Sequence, residues 1–421
     1  MKLAFFLLFA LVTAFGYWLR YINLQHLKRY GNEVPEGFEG VVDAEKLRAS
    51  SAYTLASSRL SLWESLCDNA LLIVFLFGGL IALYDRFIGG LSGSFVLFAI
   101  LFFLILTWAQ ALLGIPFHLY ATFRIEARYG FNTMTPRLWA GDFLKSQVIG
   151  SLLLTLLVAA AFGLIRWSPE RWWIWVWGFM GLFSLLMMFI SPYVIEPLFN
   201  KFEPVTEEGL EAEIRAMMEK AGLKVGRVMQ MDASRRSRHS NAYFTGIGRV
   251  KRIVLFDTLI SRMTHAEIVA VLAHGIGHWK LGHIWKRLAA AELLALAGAW
   301  ISFRLLGWEG LPGLLGLPAD LSLPGRMVVL GFVGSLAMFP LTPLSAWLSR
   351  RHEREADRFA ADLTGRPEAL ASAMVKLSAE NLSNLFPHPW YAAFHYSHPP
   401  AVERVRTLRG WANPDRGPDN R

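Results

Sequence analysis

Seven long apolar stretches constrain this chain more than any other feature, because a helix of roughly 20 apolar residues crosses a bilayer. A composition of 54% hydrophobic and 18% charged residues agrees with them. The stretches lie near Leu3–Leu19, Asn69–Tyr84, Ser94–Ile115, Gln147–Ile165, Trp172–Ile190, Leu288–Leu306 and Met327–Leu348. They predict a mainly α, polytopic membrane protein with about seven transmembrane helices. The first stretch follows Lys2, so a cleaved signal peptide is the alternative to the retained anchor that we expect.

Basic loop residues predict the orientation, because Lys and Arg are retained on the cytoplasmic side of a membrane. The loops after stretches one, three and five and the tail after stretch seven carry nearly all of them, including Lys28, Arg29, Arg124, Arg128, Arg137, Lys145 and many beyond Lys201. The opposite loops carry little beyond Arg86, Arg166, Arg171 and Arg326. We therefore expect an N-terminus outside a bacterial inner membrane, with both large polar segments and the C-terminus in the cytoplasm.

The net charge of +9 suits a protein that lies against anionic lipid headgroups. The basic residues are scattered through loops, and no DNA- or RNA-binding motif accompanies them. We therefore expect the lipid bilayer, and not nucleic acid, as the partner of this charge. Cys67 is the single cysteine, which excludes an internal disulfide and a cysteine-rich zinc module.

The polar segments divide the chain into four regions. Residues 1–190 hold helices one to five, 191–287 a first cytoplasmic segment, 288–348 helices six and seven, and 349–421 a second cytoplasmic segment. The two cytoplasmic segments can together build one α+β domain. The first predicts an amphipathic helix, a strand and a hairpin, at Glu207–Ala221, at Val228–Met231, and at Tyr243–Thr245 with Arg252–Phe256 around the turn Gly246–Gly248. Only Asn413–Arg421 has the composition of a disordered segment.

A pair of histidines follows a predicted helix start. Thr264 and Glu267 form a capping-box pattern before an apolar run, so a helix begins here. His274 and His278 are four residues apart and project from one face, which allows a helix to offer two nitrogens to one tetrahedral Zn²⁺. Alone this is weak evidence, because 11 histidines supply roughly 0.26 such pairs per chain by chance. Two unrelated surface histidines are the alternative.

A second predicted helix carries Glu353 and Asp357 on one face. A carboxylate from a separate helix is the third ligand that a His₂Glu catalytic zinc site needs, and it leaves the fourth position for water. Asp357, one turn further on, can orient a ligating imidazole or donate a proton. The alternative is a solvated helix whose acids pair with Arg350, Arg354 and Arg358.

A nearly continuous set of motifs from about Lys46 to Arg409 resembles the type I CAAX prenyl endopeptidases, which are integral-membrane zinc metalloproteases. The motifs include Arg48-x-x-x-x-Tyr53, Tyr129-Gly-Phe-Asn132, His239-Ser-Asn-Ala-Tyr-Phe-x-Gly246, His274-x-x-Gly-His278, Ser349-Arg-x-x-Glu353-x-x-Ala-Asp357 and His395-Tyr-Ser-His-Pro-Pro400. The resemblance implies an α-barrel of seven helices around a water-filled intramembrane chamber, capped by the zinc domain. It also implies a peptide or protein substrate, prenylated or not, which loses the tripeptide of a C-a-a-X tail or is cleaved in membrane-protein quality control.

The resemblance assigns His274, His278 and Glu353 to one zinc ion per chain, and Asp357 to a proton-donating or ligand-orienting role. His398 resembles the family's oxyanion-stabilising histidine. A loop histidine beside a proline turn is the alternative for His398.

Asn241 and Ala242 resemble the family's substrate-binding edge strand, to which an extended peptide adds as a further strand. A hairpin without a partner is the alternative. His283 is expected to orient a ligand or to be structural, because a fourth protein ligand would leave no position for water. Three further histidines have no assigned role, namely His239, His388 and His395.

Gly275 departs from the family pattern H-E-x-x-H, in which the Glu takes a proton from the zinc-bound water. No neighbouring acid replaces that Glu, because Glu267 lies about two turns earlier and no acid follows before Glu292. Glycine also costs about 1 kcal/mol in a helix interior, and Gly277 adds a second one. We expect a zinc metalloendopeptidase that is otherwise intact but catalytically impaired.

Two other function classes compete with this interpretation. The first is a non-catalytic membrane protein that binds zinc and peptides. The second is a transporter or channel, which the apolar stretches disfavour because they contain almost no paired ionisable residues.

Overall fold

The computed structural model describes residues 1–245 and 250–412. Its α-helices are α1 Lys2–Tyr30, α2 Ala44–Leu72, α3 Leu80–Gly89, α4 Phe95–Tyr120, α5 Pro136–Trp167, α6 Trp172–Val194, α7 Leu210–Lys220, α8 Asp257–Ile260, α9 His265–Lys280, α10 His283–Leu306, α11 Leu323–Met338, α12 Thr342–Thr364, α13 Pro367–Glu380, α14 Pro389–His395 and α15 Ala401–Ala412. The strands are β1 Phe202–Pro204, β2 Lys224–Met231, β3 Ala242–Thr245 and β4 Val250–Phe256. The segment predicted to be disordered, Asn413–Arg421, lies outside the described residues.

The prediction of seven membrane helices in a mainly helical protein is confirmed. Among the described residues, seven helical runs are long and apolar enough to span a bilayer. All seven are longer than the predicted stretches, because their ends continue as helix beyond the apolar core. They are Lys2–Tyr30, Ala44–Phe77, Phe95–Glu126, Pro136–Trp167, Trp172–Leu198, His283–Leu306 and Leu323–Thr364.

The predicted position of the second span was wrong. The helical run does not cover Asn69–Tyr84 but ends at Phe77, after a π-helical turn, and Gly79 adopts a left-handed φ of 79° before α3 begins. Only glycine adopts this conformation without steric cost, so the break is encoded locally. The span instead begins at Ala44, and its first half was missed because charged and polar residues interrupt the apolar pattern there.

The last membrane run continues directly into the second polar segment. The 3₁₀ turn Phe339–Leu341 joins α11 to α12, and α12 is unbroken across position 348, where the sequence suggested the end of the span. One continuous helix therefore leads from the membrane region to Glu353 and Asp357.

A four-stranded sheet has the order β1-β2-β4-β3. The predicted strand near Val228 is β2, which pairs antiparallel with β1 and parallel with β4. The predicted hairpin strands are also present, since β3 pairs antiparallel with β4, with Tyr243 opposite Val254. The turn Gly246–Gly248 lies outside the described residues. Because β3 is at the edge of the sheet, one side of its backbone has no strand partner among the described residues.

Both polar segments contribute to one hydrophobic core. Residues of the first segment, such as Ile214 and Ile268, pack in the same cluster as Leu370 and Val405 of the second. Phe38, from the connection between α1 and α2, is fully buried in this cluster as well. A separate cluster joins the membrane helices to one another. The two polar segments and the connection after α1 therefore lie at one end of the helix bundle.

A polar network ties the bundle to the sheet. The Tyr53 hydroxyl of α2 donates to Glu126 Oε1 at 2.6 Å, and Glu126 Oε2 lies 3.1 Å from His239 Nε2. The other ring nitrogen of His239 lies 3.0 Å from Asn381 Oδ1, and the ring stacks on Phe131 at 4.0 Å between centroids. His239, which had no assigned role, thus contacts residues of both parts of the protein just before β3.

Candidate metal centre and active site

Two helices, α9 and α12, position the candidate metal ligands. The predicted capping box is present at the start of α9, where Thr264 and Glu267 cap each other's backbone. The helices approach closely at Gly277, where an added Cβ would lie 3.0 Å from the Cα and 3.1 Å from the carbonyl oxygen of Ala356. Glycine at position 277 is therefore explained by helix packing, which the sequence alone did not reveal.

His274, His278 and Glu353 converge on one point. Their nearest nitrogens, both Nε2, are 3.2 Å apart, and each lies 3.3 Å from an oxygen of the Glu353 carboxylate. Ligands held tetrahedrally at about 2.0–2.1 Å from a zinc ion lie about 3.3 Å from one another. Glu353 is only 4% exposed, and its buried Oε2 has no hydrogen-bond partner among the described residues. This donor set matches the three protein ligands of a tetrahedral catalytic zinc site in composition, and the three side chains are close enough to meet at one ion.

The other ring nitrogen of His274 and of His278, Nδ1, also has a polar partner. His274 Nδ1 lies 2.8 Å from Asp357 Oδ1, and His278 Nδ1 lies 3.1 Å from His283 Nδ1. His283 is 1% exposed, and its Nε2 lies 3.0 Å from Glu355 Oε2. Such outer partners fix the orientation of ligating imidazoles. The arrangement agrees with the expectation that His283 orients a ligand, and places it against His278.

Arg404 is a site residue that the sequence analysis missed. Its guanidinium donates two hydrogen bonds to Asp357, at 2.6 and 2.8 Å, and its Nη1 lies 3.8 Å from Glu353 Oε2. It lies on α15, 47 residues beyond Asp357, so no local spacing links the two. The pair is buried, and the bidentate geometry fixes the carboxylate that holds His274.

The electrostatics at His274 reflect two opposing effects. Burial disfavours the charged imidazolium, but the carboxylates of Asp357 and Glu353 outweigh burial and raise the pKa of His274 above its ordinary value. The carboxylates of Glu353 and Asp357 and the guanidinium of Arg404 all lie close to this imidazole. The cluster concentrates negative charge where a cation would bind.

His398 lies beside the cluster on the loop before α15. Its Nε2 is 3.4 Å from Glu353 Oε1, while its Nδ1 lies 2.9 Å from the Ser397 hydroxyl. The imidazole is 61% exposed, so a ligand at the cluster can reach it. The sequence prediction placed His398 near the metal ligands, and the structure brings it there.

The predicted substrate-binding residues lie on the edge strand. Ala242 begins β3, and its N–H is turned toward the Asn241 side chain, whose Oδ1 accepts it at 2.8 Å. The Asn241 carbonyl accepts from the Phe256 N–H of β4. The backbone of β3 thus pairs with β4 on one side, and its other side is available to an added peptide.

Phe244 of the same strand packs against Gly275. An added Cβ at position 275 would lie 2.4 Å from Cε2 and 2.8 Å from Cδ2 of the Phe244 ring, closer than carbon atoms can approach. The ring fills the space where a side chain at position 275 would begin. The sequence interpretation found nothing that favoured this glycine, and the structure adds that the Phe244 ring would have to turn aside for any larger residue.

The remaining unassigned histidines lie away from the cluster. His388 caps α14, since its Nδ1 accepts from the Trp390 N–H at 3.2 Å. His395 ends that helix and packs on Tyr391, with 4.7 Å between ring centroids. Neither contacts His274, His278 or Glu353 in the described part of the chain.

Comparison with known proteins gives matches over nearly the whole chain. A family model described as CAAX prenyl protease N-terminal, five membrane helices, matches residues 23–201, and a model of peptidase family M48 matches residues 204–412. A CAAX prenyl protease 1 homolog of Arabidopsis thaliana is 35% identical over 399 residues, with 90% of each chain covered. A homolog of the same name from Homo sapiens is 32% identical over 423 residues, with 89% of this chain and 88% of that one covered. The crystal structure of S. mikatae Ste24p has a TM-score of 0.88 at 28% identity, covering 96% of this chain and 97% of that one.

Proposed function

Because the chain belongs to the M48 family of membrane metalloproteases with a CAAX prenyl protease N-terminal region, we propose that it is a zinc endopeptidase whose catalytic step is strongly impaired at Gly275. It binds peptide or protein substrates in the membrane, either the tail of a C-a-a-X protein or a segment of a membrane protein under quality control. The observation that carries the proposal is the convergence of His274, His278 and Glu353: the two Nε2 atoms are 3.2 Å apart, and each lies 3.3 Å from one of the two Glu353 carboxylate oxygens, which is close to the ligand spacing of a tetrahedral zinc site.

The proposed cofactor is one Zn²⁺ per chain, held by His274, His278 and Glu353. When bound, such an ion supplies Lewis acidity, which polarises a carbonyl and makes water a stronger nucleophile at neutral pH. Asp357 and Arg404 keep the His274 ring in its ligating orientation through the contacts described above.

The peptide is proposed to bind as an extra strand on β3. The free side of β3 offers main-chain hydrogen bonds to an extended chain. Asn241 and Ala242 stand at the start of this strand, and Phe244 further along it packs against Gly275, the neighbour of His274. The exposed Nε2 of His398 can donate a hydrogen bond to the carbonyl oxygen of the scissile bond as negative charge develops there.

The missing group is the general base. Glu267, the nearest acid before the histidines on α9, is not available, because it accepts hydrogen bonds from Ser372 and Lys376. General-base assistance contributes about 10²- to 10⁴-fold to such reactions, so turnover is expected to be lower by that range. Substrate binding depends on β3 and the metal site, which remain intact. A non-catalytic zinc- and peptide-binding protein remains the alternative function.

The proposed location is a bacterial inner membrane, with the N-terminus outside and the metal site in the cytoplasm. The basic residues of the loops support this orientation, since the loops at the metal-site end carry most of the Lys and Arg.

The experiment compares three proteins, namely the parent chain, Gly275→Glu and Gly275→Gln, in cleavage and binding of one fluorogenic peptide. Gln has nearly the size of Glu but cannot take a proton at neutral pH, so it controls for the steric effect on Phe244. We expect Gly275→Glu to turn over the peptide about 10²- to 10⁴-fold faster than the parent, and Gly275→Gln to stay near the parent. Bound peptide with no cleavage by Gly275→Glu would favour the binding protein. Equal turnover by all three would show that position 275 does not supply the base.

A further inference from the structure

A cationic cavity lies between α2 and the π-helical end of α4. Its volume is about 810 Å³, and it shares no lining residue with the metal-ligand cluster. Three guanidiniums and several aromatic side chains line it, including Arg59, Arg124, Arg128, Trp63, Phe117 and Tyr129. The cavity therefore combines positive charge with an apolar wall.

The three arginines have no acidic partner. In the part of the chain that the structure describes, no ion pair or hydrogen bond engages Arg59, Arg124 or Arg128, and all three are exposed. The Arg128 guanidinium carbon lies 5.9 Å from the centroid of the Tyr129 ring. The neighbouring acid, Glu126, is already engaged by Tyr53 and His239. Three like charges that converge without a counterion attract an anion.

The cavity lies at the level of the lipid headgroups. Counting about 20 residues back from Phe77, the far end of the second span, reaches Ser58, next to Arg59. Counting the same number forward from Phe95 reaches Gly114, and the cavity-lining residues of that span begin at Pro116. Both spans therefore leave the hydrocarbon core at the cavity, and Trp63 is an aromatic ring of the kind that favours this interface.

We propose that this cavity binds the headgroup of an anionic glycerophospholipid. The guanidiniums hold the phosphate through bidentate hydrogen bonds, and the apolar wall contacts the upper part of the acyl chains. A lipid matches the cavity better than a soluble phosphate does, because apolar residues such as Leu60 and Phe117 line the same space as the charges. A zwitterionic lipid binds more weakly, since its ammonium group is repelled by the three arginines. The site is independent of proteolysis and of Gly275.

The test is native mass spectrometry of the full chain, released from detergent that contains equal amounts of phosphatidylglycerol and phosphatidylcholine. We expect one phosphatidylglycerol to be retained per chain, in preference to phosphatidylcholine. In the triple variant Arg59→Gln, Arg124→Gln, Arg128→Gln, we expect the preference to fall roughly 100-fold, since each basic residue near the surface contributes about a factor of five.

A matched control removes three other exposed charges at the same end of the bundle, with Lys28→Gln, Arg29→Gln and Arg137→Gln. The control should keep its preference within about twofold, because its charges do not converge on a cavity. An equal loss in both triple variants would overturn the proposal in favour of general surface charge. Competition by inorganic phosphate at equal concentration would also overturn it, because the ligand would then be a soluble anion. The variant Arg124→Lys keeps the charge but loses the bidentate geometry, so its preference for phosphatidylglycerol should be intermediate. Thermal unfolding of this variant checks that it is folded.

Discussion

The contact between Gly275 and Phe244 predicts an unusual response to substitution. Replacing glycine by alanine in a helix interior ordinarily stabilises a protein by about 1 kcal/mol. At position 275 the new Cβ would lie 2.4 Å from the Phe244 ring, so the ring must move, and overpacking of this kind costs about 1–3 kcal/mol. We therefore expect Gly275→Ala to leave stability unchanged or to lower it by up to about 2 kcal/mol.

Removing the ring should reverse the sign of the effect. In a Phe244→Ala background the new Cβ no longer meets its three nearest atoms, so Gly275→Ala should raise the melting temperature. In the parent background the same substitution should lower the melting temperature or leave it unchanged. The assay is thermal unfolding of the four proteins in one detergent, arranged as a double-mutant cycle. An equal increase in melting temperature in both backgrounds would refute the inference that Phe244 occupies the space beside Gly275.

Three further predictions rest on other parts of the structure. Gly277→Ala should destabilise by about 1–3 kcal/mol in thermal unfolding, because its Cβ meets the α12 backbone, which cannot rotate away as a side chain can; an unchanged melting temperature would contradict the close packing. Burial raises the pKa of Glu267, but a lysine and two other hydrogen-bond donors outweigh burial and lower it. The ionised carboxylate therefore stabilises the fold above the ordinary pKa of 4.5, and this stabilisation is lost as the pH falls through the lower pKa of the folded state. Melting temperatures should therefore fall below about pH 4.5 more steeply in the parent than in Glu267→Gln, and parallel curves would contradict this. With Cys67→Ser as background, Lys224→Cys should resist a membrane-impermeant maleimide in intact cells and react after lysis; labelling in intact cells would overturn the proposed orientation.

The sequence predicted those features that depend on a short-range pattern of residues. The apolar runs predicted the membrane helices, and the capping box predicted the start of α9. The spacing of His274 and His278 placed both on one face, the second predicted helix offered Glu353 as a third ligand, and the resemblance to a known family assigned it. These features depend on residues within a few turns of one another or on a motif.

What the sequence could not supply depends on contacts between distant residues. Arg404 and Asp357 meet only because α15 packs against α12, and no periodicity connects them. Gly277 looked unfavourable because helix propensity counts only its own helix, whereas the close approach of the Ala356 backbone favours a residue without a side chain. The second span was misplaced because charged and polar residues interrupt the apolar pattern in its first half, so hydropathy alone does not identify that part as helix.

The most direct test of the account is the zinc content of the purified chain. The central claim is that His274, His278 and Glu353 hold one metal ion, and Gly275 is not among its ligands. We predict about one zinc per chain in the parent and in Asp362→Asn, an exposed acid of the same helix α12, and a loss of at least tenfold in zinc affinity in Glu353→Gln. A parent chain without zinc, or equal zinc content in Glu353→Gln and Asp362→Asn after dialysis against a chelator, would contradict the claim.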